Sequence, residues 1–206
     1  MFSGIAEETG VVEKVARQEN LSTLFIRGGK TATGAKAGDS ICVSGVCLTV
    51  TRRQSKVFSF DIMKETLEKT TLGSVGSGSR VNLERALKVS DRISGHFVSG
   101  HVDHMETVRA VITLPNYVEI QVTTQQDLAK YIVPKGSVCI DGVSLTVGAV
   151  RRNFFSVYLI PFTLEVTTLG LLKKGDRVNI ETDILAKYVL ARDGQSDNPY
   201  IYKKRG

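Results

Sequence analysis

Short apolar runs broken by polar clusters fill most of the chain. In the first half they fall at 11–15, 21–26, 41–43, 46–51, 57–62 and 80–83, separated by Gly, Ser and Asn, and runs of this length and spacing predict strands. Ser44-Gly45 stands between the third and fourth runs. Asp141-Gly142 stands at the matching place 97 positions later, and Asp-Gly between two apolar runs is a strong hairpin signal. Six short strands in roughly 90 residues predict a small closed or nearly closed antiparallel barrel. Two segments predict helix, 64–69 and 183–192. In the second, Ile184, Leu185, Tyr188 and Val189 share one face, Asp183 is a candidate N-cap and Gly194 a stop. A lone amphipathic helix outside a finished barrel must bury its apolar stripe, either on its own barrel or in a seam with another copy.

The pattern occurs twice. Shifted by 97 positions, residues 40–84 align with 137–181 without a gap, and 21 of the 45 positions are identical. ICVSGVCLTV (41–50) returns as VCIDGVSLTV (138–147), and GSRVNLE (78–84) as GDRVNIE (175–181). With an offset of 96, MFSGIAE (1–7) pairs with FVSGHVD (97–103). A period this long is one small domain rather than a solenoid repeat. The copies differ at two chemically telling places: Cys47 faces Ser144, and Ile5 faces His101.

Composition narrows the function classes. With 206 residues, 42% hydrophobic and 23% charged, the chain suits one or two ordinary globular domains. Three cysteines without a Cys-x-x-Cys pair fit a reducing, cytoplasmic setting better than a disulfide framework. No basic segment precedes an apolar run at the start, and no 18 apolar residues run together, so neither export nor a membrane span is expected. The net charge of +6 is spread along the chain apart from Lys203-Lys204-Arg205, and aromatics are only 7% with no Trp, so nucleic acid is not an expected partner. His96, His101 and His104 lie close in sequence, but no Cys or acidic cluster completes a metal set. The Gly-rich run 73–78 lacks the strand-turn-helix context of a phosphate loop, and no Rossmann unit is visible.

Together MFSGI, SGVCLTV, FDIMKETLEKTTLG, SGHFVSGHVD, KGSVCIDGVSLTV, LIPFTLEVTTLG and NIETDILAKYV resemble the riboflavin synthase family, over nearly all the chain up to about Gly194. The resemblance implies an all-β fold of two tandem homologous six-stranded antiparallel barrels, 1–95 and 96–182, with 183–206 a trimerisation helix and tail. It implies a homotrimer whose active site lies between the N-terminal barrel of one chain and the C-terminal barrel of its neighbour, and an association with lumazine synthase. The implied reaction is dismutation of two 6,7-dimethyl-8-ribityllumazine molecules by transfer of a four-carbon unit, giving riboflavin and a ribitylamino-pyrimidinedione, with no metal or redox cofactor. A non-catalytic lumazine- or flavin-binding chromophore protein of the same fold is the alternative, and retention of Cys47 and His101 favours the enzyme.

Residue by residue, the resemblance implies that the ring and ribityl chain are met in the first unit by Gly4, Ile5 and Ala6, by Ser40, by Cys47, Leu48 and Thr49, and by Asp61, Ile62, Met63, Lys64, Glu65 and Thr66. In the second unit it implies Gly100, His101 and Val102, Lys135, then Ser144, Leu145 and Thr146, and Tyr158, Leu159, Ile160, Pro161, Phe162 and Thr163. Cys47, His101, Ser144 and Asp183 are the candidate catalytic residues: an imidazole moves protons near neutral pH, and Cys47, a Ser or a water beside it is the candidate nucleophile. Cys42 and Cys139, repeated at equivalent strand positions, read as packing. Ser94 and Phe162 depart from the family pattern and are expected to alter pocket shape.

Overall fold

The computed structural model describes residues 1–192; the expected stop at Gly194 and the basic tail lie outside them. Strands β1 (Glu8–Ala16), β2 (Leu21–Arg27), β3 (Ser40–Val43), β4 (Val46–Gln54), β5 (Val57–Met63) and β6 (Arg80–Arg85) close into one antiparallel barrel in the order β1-β2-β5-β4-β3-β6. The second barrel repeats this with β7 (His104–Thr113), β8 (Val118–Thr123), β9 (Ser137–Ile140), β10 (Val143–Arg151), β11 (Phe154–Leu159) and β12 (Arg177–Thr182). Alternation explains the closure. In β2 every second side chain, from Ser22 through Leu24 to Ile26, is buried, so one face lines the core. Ile26, Phe58, Phe60 and Leu83 fill the first core, and Ile120, Phe155, Val157 and Ile180 the second; each such burial is worth ~1.5–3 kcal/mol. One β-bulge in each of β1, β4, β7 and β10 bends its strand around the small barrel.

Among the described residues four α-helices decorate this frame: α1 (Lys64–Lys69), α2 (Gln126–Ala129), α3 (Pro161–Val166) and α4 (Ile184–Arg192). The expectation of only two helices is corrected here. PFTLEV does not look helical, but Pro161 sits at its first turn, where the missing N–H costs nothing, and its repeat counterpart is α1. At α4, Asp183 Oδ1 accepts the Leu185 N–H at 3.0 Å, the N-cap bond expected of it. Leu185, Tyr188 and Val189 remain exposed.

The repeated Val-Asn-x-Glu at the end of each unit docks the barrels. Asn82 Nδ2 donates to the Asp141 carbonyl at 2.8 Å while its Oδ1 accepts from Thr168 N. Asn179 Nδ2 donates to the Ser44 carbonyl at 2.7 Å and its Oδ1 accepts from Thr71 N. The two hairpin turns meet between these bonds. A Cβ on Gly45 would lie 2.9 Å from Gly142 N, so the glycines are required by contact as well as by turn geometry.

Candidate functional site: two mouths with exchanged linings

The chain segments that precede the barrels cross over. Phe2 and Val98 pair as an isolated antiparallel bridge, both fully buried. Beyond it, residues 3–6 run over the mouth of the second barrel before β1 joins the first, and residues 99–102 run over the mouth of the first. Ser144 N donates to the Gly4 carbonyl at 2.7 Å, and Cys47 N to the Gly100 carbonyl at 2.8 Å. Ala6 packs on the second core and Val102 on the first. At φ +75 and +81, Gly4 and Gly100 press on Ser144 and Cys47: a Cβ on either would come within 2.6 Å of the opposing Cβ.

The Glu of each Val-Asn-x-Glu holds the crossover turn. Glu84 accepts from Ser3 N and Oγ and from Gly4 N at 2.8–3.0 Å; Glu181 accepts from Ser99 N and Oγ, Gly100 N and His101 N at 2.6–3.0 Å. Burial raises the Glu84 carboxyl above its ordinary value, against the pull of those hydrogen bonds.

This geometry corrects the grouping read from sequence. Gly4, Ile5 and Ala6 lie with Ser144, Leu145 and Thr146 on the second barrel, not with Cys47. Gly100, His101 and Val102 lie with Cys47, Leu48 and Thr49 on the first. Cys47 of the first unit and the turn of the second unit that carries His101 are therefore joined within one chain, through the Cys47 N–H on the Gly100 carbonyl. Ile5, the counterpart of His101 in the repeat, is 45% exposed in the turn whose Gly4 carbonyl accepts the Ser144 N–H.

The remaining candidates fall around these mouths unevenly. Asp61 Oδ1 accepts from Thr23 Oγ1 at 2.8 Å on the outer face of β5. Met63, Lys64 and Glu65 are exposed at the start of α1 and Thr66 is half-buried. Tyr158, Ile160, Pro161 and Phe162 are exposed and Thr163 half-buried at the end of β11 and start of α3, with the Tyr117 ring edge-on to Tyr158 at 5.6 Å. Leu48, Ile62 and Leu159 are core residues, so only their backbone is open to a ligand. Ser40 lines a 680 Å³ cleft with Ser3, Ile5 and Glu84 beneath the linker 86–94. Lys135 is exposed in a left-handed turn, φ 65. Cys42 and Cys139 are buried beside Phe2 and Val98, and burial pushes both thiols well up, with the Glu84 charge adding to it; they are packing groups, as read.

Sequence reasoning missed four residues that build the mouths: Glu84 and Glu181, Gly95 and His96. The repeated Glu carried a signal, since it recurs in both units. His96, outside the repeat, is 9% exposed with Nδ1 2.7 Å from Ser144 Oγ.

Among known families, the model described as the lumazine binding domain matches residues 3–86 and 99–183. The riboflavin synthase of Mycobacterium bovis is 45% identical over 92% of this chain and 96% of its own, and that of Actinobacillus pleuropneumoniae 42% identical over 92% and 88%. Among solved structures, LumP complexed with riboflavin superposes with a TM-score of 0.82 at 26% identity, covering 88% of this chain and 99% of that one. LumP complexed with 6,7-dimethyl-8-(1'-D-ribityl) lumazine gives 0.80 at 25% identity over the same shares.

Proposed function

We propose, for a chain that belongs to the riboflavin synthase family, that it converts two molecules of 6,7-dimethyl-8-ribityllumazine into riboflavin and 5-amino-6-(D-ribitylamino)uracil. One lumazine gives up a four-carbon unit and the other receives it. The observation that carries this reading is the crossover, because it gives one polypeptide two lumazine-type mouths with unlike chemistry: Cys47 with His101 at the first, Ser144 with Ile5 at the second. A reaction between two copies of one substrate needs them held differently, and this pair of mouths does so. His101 is exposed and is assigned the proton from the lumazine C7 methyl group. Cys47, or a water held beside it, is assigned addition at C7 of the acceptor ring.

The active unit is a homotrimer in which the first barrel (1–95) of one chain faces the second (96–182) of its neighbour, with 183–206 as the assembly segment. Support comes from the exposed apolar side chains at the second mouth and on α4, among them Ile160, Phe162, Leu185, Tyr188 and Val189, which a neighbour would cover. Asp183 is assigned to the same chamber beside its capping role. A cytoplasmic setting fits three free cysteines, and among the described residues no helix is long and apolar enough to cross a membrane. An association with lumazine synthase is carried over from the family alone.

Incubating the pure protein with the lumazine and following flavin absorbance tests the activity. Bound but unchanged lumazine would favour the chromophore-protein alternative, which the structural likeness to LumP keeps in play at 25–26% identity against 42–45% for the synthases.

A further inference from the structure

Ser144 takes the place of Cys47 in the second repeat, and the linker after the first barrel folds back over it. A Cβ on Gly95 would lie 2.1 Å from the Ser3 carbonyl oxygen and 2.8 Å from Ser144 Oγ, so only glycine lets the chain approach this closely. His96 follows, with Nδ1 2.7 Å from Ser144 Oγ. Its Nε2 is buried without a hydrogen-bond partner. Burial lowers the ring's pKa from its ordinary 6.5, prevailing over the Asp183 and Glu181 charges that pull the other way, so at neutral pH the imidazole is uncharged with one N–H and one lone pair. Leaving a buried N–H unpaired is rarer than leaving an acceptor so, which puts the lone pair on Nε2 and the hydrogen on Nδ1. With its oxygen accepting from Nδ1 and its backbone N–H held by Gly4, Ser144 has its hydroxyl hydrogen left to give.

We propose that His96 is a positioning residue of the second mouth: as the Nδ1–H tautomer it donates to Ser144 Oγ and thereby presents the Ser144 hydroxyl as a donor to a carbonyl or ring nitrogen of the bound lumazine. This rests on the reading of that mouth as a lumazine pocket. The first mouth offers a thiol at the matching position, a weak donor, so the two pockets also differ in how well they hold negative charge on the ring. The second, with its fixed O–H, favours the lumazine that carries more of it.

Nitrogen-15 NMR of the full-length protein without ligand reads the tautomer directly. Protonated Nδ1 and bare Nε2 on His96, with the Nδ1 resonance moved in Ser144→Ala, are expected; a hydrogen on Nε2 would overturn the proposal whether or not the chain makes riboflavin. Kinetics give the second reading. His96→Asn places an amide N–H where Nδ1 stood and is expected to stay within about threefold of wild-type kcat, whereas His96→Gln, which reaches the Nε2 place instead, loses about tenfold in kcat. In a Ser144→Ala background neither change costs more. Equal losses for Asn and Gln, or losses that add to that of Ser144→Ala, would overturn the assignment.

Discussion

Asp141 is a buried carboxyl that the fold holds more readily as the acid than as the anion. It sits in the β9–β10 turn at φ 45, 7% exposed, where Oδ1 accepts the Asn179 N–H at 2.8 Å and the backbone carbonyl accepts Asn82 Nδ2. Among the described residues no cation pairs with it. Burial raises its pKa from 3.8 to about 7, the Asn179 bond resisting. The unfolded chain releases this proton near 3.8 and the folded chain near 7, so the contribution to stability is complete below pH 3.8 and is lost as pH rises through 7. The whole cost of ionisation is ~4 kcal/mol, and the part between pH 5 and pH 8.5 is ~3 kcal/mol. Asp141→Asn keeps the acceptor for Asn179, tolerates the left-handed turn and does not titrate. Urea unfolding of both proteins at the two pH values, at one fixed protein concentration, isolates the effect from every other group. The variant should gain ~3 kcal/mol on the wild type from pH 5 to pH 8.5. Equal changes with pH in the two proteins would refute the placement of an uncompensated carboxyl between the barrels.

Gly100→Ala, at φ +81 with Cys47 Cβ and N within 2.8 Å of the new Cβ, should lose at least ~2 kcal/mol, whereas Gly34→Ala, at φ +79 in open space, should lose ~1 kcal/mol; thermal melts that rank them the other way would remove the crossover contact. Under native conditions a maleimide should label half-buried Cys47 first and spare Cys42 and Cys139, whose thiols are buried; mass spectrometry showing two or three adducts before unfolding would contradict that burial. Cys47→Ser should weaken turnover by far more than Ser144→Ala weakens folding, and turnover equal to wild type would take the thiol out of the reaction. Removing the chain after Thr182 should give monomers without activity, and a trimer by light scattering would mean that α4 is not the seam.

Periodicity made the barrels legible because strands such as β2 alternate between core and outer face while the short β3, β6, β9 and β12 read as continuous buried runs, and the duplication supplied each strand twice. Ser44-Gly45 and Asp141-Gly142 announced the hairpins; nothing local announced that they would be pressed together, since Asn82 docks Asp141 from 59 residues away and Asn179 docks Ser44 from 135 residues away. The α3 segment was hidden by its own composition, Pro, Phe, Thr and Val being weak helix formers, although the repeat already contained the answer in α1. His96 had no such twin. Its importance comes from a linker folding back over Ser144, a long-range event that no window of sequence contains.

The crossover gives two repeats of one origin two differently lined mouths. A duplicated barrel lined only by its own strands would change one residue at a time, and Cys47 and the His101 turn would stand at separate mouths. With the leading segments exchanged, each mouth is built from both copies: the strand of one and the crossover turn of the other, fixed by Glu84 and Glu181. Substituting at the turn of one unit therefore alters the mouth of the other. Cys47 and the turn that carries His101 meet at the first mouth, while at the second Ser144 Oγ lies 2.7 Å from His96 Nδ1. The same wiring makes each barrel dependent on its sibling, because a break at the 95/96 boundary would part Cys47 from the Gly100 carbonyl and Ser144 from Gly4, Gly95 and its own histidine's anchoring turn.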